Sequence, residues 1–584
     1  PRTVVPDRPR AELAGVREAM IDGAVLGGTM TRGVAVRGDE VFVSCWAQDQ
    51  VRVLHRVSLE QLSTLPLPRP AGLAVDGSGR LLAISGRDLV VREGTSWRVL
   101  IPRVARRPFA LAVAADGHLL VSDMGEPCRV LEYTPAGRLV RSYGQPGELP
   151  GKIRTDRLYA PTGVAAATDG SVYVSEFLLN RLLKLDRSHA VAWALYGGAY
   201  IENASLLSDD PTVVHAMDGY GIGALYEYKL DLDTGRWSPR KWWWLGHSHP
   251  TREVRGFMIH GQHTHTIGGH RYLFSCHKTI RIYRIDGDRL VPVARVGSRL
   301  RFYDKNGKLV SSKTAFPVWV DRNGDGLASE AEVEEVPLGE VGQGRRFPVE
   351  PHIGFSHDAE VDRRGTVYWG NFALPLQKID QRGVPHYTWK TASVVGPDFK
   401  PLANKMLEGV AADEQGRRYF DMFYKDDSLR QPGIGHWPRR VIRCDVSCYD
   451  KTGRKIWSVG HKAKGLPEPG GIHQPSCIRY EGDWVFVGDE AGMVHIWSRD
   501  GLYVASLLDN IYVGNRRGQA RQRGYLLPME VTIGEFWSLD VIRQRGSGRY
   551  FLAGQSHEFG EHVRVYEIRG LGDVKRVRAD VTVK

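Results

Sequence analysis

Apolar and polar residues alternate with a period of two along most of this 584-residue chain, and the alternation breaks every few residues at Gly, Asp-Gly or Pro. That pattern predicts short strands with one buried face, joined by tight turns. Thr31 to Val36 (TRGVAV) runs through Arg-Gly-Asp to Val41 to Ser44 (VFVS). The cadence returns where Pro70 to Gly79 (PAGLAVDGSG) precedes Leu81 to Ala83, where Pro108 to Gly117 (PFALAVAADG) precedes Leu119 to Asp123, and where Pro161 to Gly170 (PTGVAAATDG) precedes Val172 to Glu176. Each unit is an apolar strand, a turn, a second strand and a polar-alternating third strand such as Arg129 to Tyr133 (RVLEY). Repetition of this kind is how propeller blades are written.

The expected fold is therefore all-β, a β-propeller of four-stranded antiparallel blades, and no long stretch carries the 3.6 period of a helix. Weaker units follow at Tyr272 to Ser275, Asp358 to Trp369, Glu408 to Tyr419, Pro475 to Val487 and Phe536 to Ala553. About seven to ten blade-like units result, which leaves one ring or two open. The expected organisation is an N-terminal segment over 1–30, blades over 31–297, an insertion over 298–350, and the remaining blades with a closing strand over 351–584.

These units resemble NHL-repeat β-propellers, whose blades read Pro-x-Gly-Val-Ala-Val-Asp-x-x-Gly-x-Val-Tyr-Val-Ser-Asp, and the resemblance covers residues 32 to 197. Into this cadence is inserted Asp321-Arg322-Asn323-Gly324-Asp325-Gly326-Leu327-Ala328-Ser329-Glu330-Ala331-Glu332, which has the spacing of an EF-hand calcium loop. Oxygen ligands stand at loop positions 1, 3, 5 and 9 (Asp321, Asn323, Asp325, Ser329), Leu327 offers its carbonyl at position 7, and Glu332 at position 12 can bind bidentately. A surface turn accounts for the Asp, Asn and Gly residues but not for that glutamate. The loop predicts bound Ca2+ as a structural staple.

Seven histidines fall between Gly246 and Lys278. His263 lies in Gln262-His263-Thr264-His265 before a blade strand, and His357 and His473 stand at two further blade entrances. Equivalent positions of a propeller converge on the channel, so His263, His357 and His473 are the expected catalytic residues, as general base and acid or as metal ligands. The NHL family includes a peptide-amidating lyase with blade-entrance histidines around zinc, which implies Zn2+ beside Ca2+. Here, however, the histidines sit in Ser-His-Asp-Ala and Ile-His-Gln-Pro rather than in Pro-His-Gly-Leu.

Charge narrows the partner. A net charge of +12 attracts polyanions at long range, with Arg252, Arg255 and Arg281 near the histidine segment and Trp437 as a flat surface for a sugar ring. No RNP, helix-turn-helix, KH or zinc-finger pattern supports nucleic acid, and no run of about 18 apolar residues supports a membrane span. Six cysteines without a CxxC imply buried thiols. With no methionine or apolar leader at Pro1, the chain reads as an exported product, secreted or periplasmic. The function expected is that of a calcium-binding propeller that binds an acidic polysaccharide and cleaves it by elimination, with a non-catalytic scaffold, an amidating-lyase-like enzyme and a lactonase-like enzyme as alternatives.

Overall fold

The computed structural model describes residues 31–125, 127–145, 153–177, 179, 181–196, 201–218, 224–244, 261–276, 279–297, 300–303, 309–313, 317–335, 359–369, 372–394, 405–425, 441–460, 472, 475–489, 493–507, 538–555 and 564–575. Among them, regular structure is strand, with helix limited to single 3-10 turns such as Trp46–Gln48 and Trp389–Thr391. The chain is a β-propeller protein of four-stranded antiparallel blades. Among the described residues no helix is long and apolar enough to cross a membrane. Two compact units divide it, one formed by residues 1–148 and 154–197, the other by 149–153 and 198–584.

Among the described residues the first unit holds four blades whose strands pair in chain order, beginning at Thr31–Arg37, Pro70–Val75, Pro108–Val113 and Pro161–Ala166. Its turns explain the repeated Asp and Gly. Asp76 accepts the N–H groups of Ser78 and Arg80 at 3.0 and 2.9 Å, and Gly79 completes the turn at φ +81°. The carboxylate thus stands in for a backbone acceptor and fixes where one strand stops and the next begins.

The Gly of each Pro-x-Gly has a different cause. A Cβ on Gly72 would lie 2.5 Å from the Leu111 amide nitrogen and 2.8 Å from the Ala110 carbonyl carbon of the next blade. Adjacent inner strands come within backbone contact there, so a side chain has no room. Between the sheets, Leu82, Ile84 and Val91 pack against Leu111, Leu119 and Val121 in a continuous apolar layer.

Among the described residues the second unit contains six blades, numbered I to VI by their inner strands: Ile201–Leu207, Gly261–Ile267, Glu360–Val361, Lys405–Ala412, Pro475–Glu481 and Ser538–Arg543. Inner strands follow one another around an axis, and the sixth returns to the first. Ala204, Leu206 and Val214 of blade I share an apolar cluster with Ile542, Phe551 and Ala553 of blade VI. The Leu206 N–H also donates to the Asp540 carboxylate at 2.7 Å. Six blades therefore close a ring. Blades I and II are further joined by a parallel bridge between Leu207 and Thr264.

Blade II carries an extension: Val318–Val320 and Val333–Glu334 add to its outer strand Arg289–Gly297, and Asp321 to Glu332 form the turn between them. The calcium-loop sequence is thus the tip of a hairpin on the blade's outer edge. All six cysteines are buried free thiols, and Cys444 and Cys448 share the strand Val441–Tyr449.

Replacing Gly72 by Ala forces backbone apart between two blades and should cost about 1–3 kcal/mol as overpacking. Gly77, around which a Cβ would meet nothing within 4 Å, is the control. Urea titration should show a lower midpoint for Gly72→Ala and almost none for Gly77→Ala; equal midpoints would contradict the inner-strand contact.

Candidate functional site

All six inner strands of the second unit contribute to one cavity of about 300 Å³. It lies toward the end of the channel where each inner strand turns into its second strand. Strand register sets its layers. Ile267 pairs with His270 and Glu481 pairs with Trp484 at their hairpin ends, while Asp362 closes its own hairpin by donating to the Thr366 carbonyl. Two residues back from these stand His265, Arg479 and Glu360. Side chains two apart share a strand face, so these three occupy one level of the cavity wall.

His263 and His265, likewise two apart, stack with ring centroids 5.9 Å apart. His263 Nε2 lies 2.7 Å from the Ala359 carbonyl and His265 Nε2 lies 2.7 Å from the Val361 carbonyl. A carbonyl only accepts, so both rings carry their proton on Nε2. Nδ1 of His265 is buried and has no partner among the described residues, leaving an acceptor in the cavity wall. Burial, with His263 and the nearby Arg363 and Arg479, pushes the His265 imidazole down to about 3.

The cavity's arginines cross it. Arg363, in the first turn of blade III, donates through Nη2 to both oxygens of Glu481 in blade V at 2.8 and 3.0 Å. Glu360 of blade III and Arg479 of blade V approach to 3.9 Å in the reciprocal sense. Both pairs bypass blade IV, which lines the cavity with Ala412, Asp413, Glu414 and Gly416. Burial raises the Glu481 carboxyl above its ordinary range against the pull of Arg363. Asp362 and Asp413 also face the cavity, but each is committed to its own turn and to a tyrosine hydroxyl, Tyr368 or Tyr419, at 3.0 and 2.9 Å.

No family model and no curated protein sequence matches the chain. Solved structures similar to it include virginiamycin B lyase from Staphylococcus aureus, 12% identical over 45% of this chain and 85% of that one, with a TM-score of 0.24. PorZ of Porphyromonas gingivalis is 12% identical over 93% of this chain and 68% of that one, at 0.28. The extracellular domain of a one component system protein from B. thetaiotaomicron is 10% identical over 90% and 68%, at 0.30. The blades themselves establish the fold.

Of the residues expected from sequence, His263 lines the cavity, buried. Arg281 is buried in the third strand of blade II, Thr279–Asp286, and does not line the cavity. His357, His473, Arg252, Arg255 and Trp437 lie outside the described residues. The calcium-loop residues are described. Asp321 accepts the N–H groups of Gly324 and Gly326 at 2.8 and 3.1 Å, Asn323 accepts the Asp325 N–H at 2.9 Å, and Asp325 accepts the Leu327 N–H at 2.7 Å. Glu332 reaches back across the loop to the N–H groups of Arg322 and Asn323 and to the Ser329 hydroxyl. Burial, then the charges of Glu332 and Asp325, raises the Asp321 carboxyl. Among the described residues no three His, Cys, Asp or Glu side chains form a metal-holding group.

His265, Glu360, Arg363, Arg479 and Glu481 were not among the residues expected from sequence. Their signal was present as charged or imidazole residues spaced two apart at the inner strands, Glu360 with Asp362, Arg479 with Glu481, and His263 with His265. Which such pairs face a channel follows only from the ring.

His265 gives the site a pH signature. Its folded pKa is depressed from 6.5, so as pH falls below that value the unfolded chain binds a proton that the folded ring refuses. Stability contributed by the neutral ring is present above pH 6.5 and is lost toward pH 3. His265→Gln should therefore show a smaller fall in Tm between pH 7 and pH 5 than the parent. An identical fall in both proteins would show that His265 is not the depressed group.

Proposed function

We propose that this chain is an exported, NHL-type propeller protein whose six-bladed ring, in the second unit, binds the acidic end of a saccharide in its channel. The observation that carries the reading is the convergence of six inner strands on a saccharide-sized cavity in which Arg363, Arg364, Arg479, His263 and His265 stand among the carboxylates Glu360, Asp362, Asp413, Glu414, Glu481 and Asp540, so that the arginines rather than the cavity's overall charge would select an acid. Pockets of this kind, concave with a few convergent polar groups, are where small ligands bind. Guanidinium groups recognise carboxylates by paired hydrogen bonds, and the net charge of +12 favours an anionic partner at long range. Calorimetric titration with glucuronate, galacturonate and short oligouronides, against glucose, tests it. Uronates should bind more tightly, and Arg363→Gln should weaken them about tenfold, the scale of a charge-assisted hydrogen bond. Absence of heat with every uronate would leave the non-catalytic scaffold as the better reading.

One observation favours cleavage as a second step. The unpartnered Nδ1 of His265 would take a proton once a bound carboxylate offsets the burial and the arginine charges that otherwise hold the ring neutral, and Tyr368 and Tyr480, whose phenols burial keeps protonated, line the same cavity as donors to a leaving oxygen. Elimination would produce an unsaturated uronate absorbing in the ultraviolet, lost in His265→Ala.

Calcium belongs to the same reading as a staple for the blade II hairpin. Three carboxylates, Asp321, Asp325 and Glu332, serve one short loop, and a hard cation with oxygen ligands would offset their repulsion. Chelation should lower Tm, and Glu332→Gln should lower it with no further response to chelator. A melting curve indifferent to chelator and to added calcium would end the calcium assignment.

A further inference from the structure

The Arg363 pair with Glu481 has a geometry that a structural ion pair does not need. A guanidinium has two edges on which it can present two parallel N–H groups, Nε with Nη2 and Nη1 with Nη2, and Nη2 belongs to both. Glu481 takes that one nitrogen with both of its oxygens. Among the described residues Arg363 makes no other hydrogen bond, and its side chain remains 38% exposed at the cavity. Nη2 has one hydrogen on each edge, so a second carboxylate that pairs with Arg363 in the two-bond manner must compete with Glu481 for this nitrogen, whichever edge it takes.

Glu481 is placed to be displaced. Its carboxyl is mostly buried, and burial opposes its charge. One of its oxygens also accepts the Arg543 N–H of blade VI at 3.1 Å, a contact that does not depend on Arg363. Beside it, the Glu360 and Arg479 approach links the same two blades, so blades III and V keep a connection when Arg363 turns to another partner.

We propose that Glu481 is an internal competitor that occupies the ligand-binding edge of Arg363, so that the channel admits a ligand carboxylate by exchange of one anion for another. The proposal rests on the channel-binding reading above and adds the residue that sets its selectivity. Exchange makes the channel discriminating: a neutral sugar gains nothing from Arg363, whereas a uronate replaces Glu481 and satisfies two N–H groups at once. Weakly binding anions that offer only one oxygen cannot match what they displace.

Glu481→Gln tests this, because the amide is isosteric, keeps an oxygen for the Arg543 N–H, and removes the competing charge. Titrated with glucuronate, the variant should bind about fivefold or more tightly than the parent, the equilibrium equivalent of about 1 kcal/mol for a partly exposed pair. Its affinity for glucose should not change. If the parent binds glucuronate and the variant binds it equally or less well, Glu481 merely orients Arg363 and the exchange is wrong, while the channel reading stands. If the parent binds neither sugar acid nor sugar, the channel reading and the exchange fall together. Arg363→Lys supplies a second test independent of how Glu481→Gln folds. Lysine has no two-nitrogen edge, so its preference for glucuronate over glucose should shrink at least fivefold; an undiminished preference would overturn the exchange.

Discussion

The second unit depends on the contact between its sixth blade and its first. Strands of a single blade bury only one another's faces, and each blade leaves an apolar face that must meet a neighbour. Successive blades satisfy this along the chain, but the remaining faces of blade I and blade VI meet each other, through Ala204, Leu206 and Val214 against Ile542, Phe551 and Ala553. The Leu206 N–H on Asp540 adds a directional bond at the axis itself. Closure turns six separate inner strands into one wall, and the cavity exists because that wall exists.

A wall so narrow imposes its own electrostatics. Charged groups brought to a channel lose water, and burial without a partner costs far more than any single pair returns. The cavity resolves this by pairing across blades, Arg363 with Glu481 and Glu360 with Arg479, and by tying Asp362 and Asp413 into their own turns. Histidines are treated differently. Each donates its Nε2 hydrogen to a backbone carbonyl of blade III, which fixes the ring's orientation and leaves His265 Nδ1 toward the cavity, and burial holds the His265 ring neutral.

Much of the blade architecture is written locally. The Asp and Gly of each Asp-x-x-Gly turn do their work within five residues, so Asp76 with Gly79 and Asp413 with Gly416 are legible without any tertiary information. The Gly of Pro-x-Gly is visible in the cadence, yet its cause lies in another blade, where the backbone of Leu111 leaves no room beside Gly72. The candidate site was legible only in part. His263 was singled out as standing just before a blade strand, and the structure sets it within the inner strand Gly261–Ile267, whereas Arg479 and Glu481 read as ordinary polar positions of a half-buried strand.

By itself the sequence determined the period-two strands, the turn chemistry that separates them, the four-strand rhythm and the buried thiols, because each arises from residues near one another in the chain. Tertiary structure alone decided that blades I to VI close on themselves, which level of the wall each side chain occupies, and that Glu481 meets Arg363 from 118 positions away. The physical reason is register. A strand's alternation tells which residues share a face, but the face becomes a channel wall, and two charges become a pair, only when the ring sets distant strands at the same height.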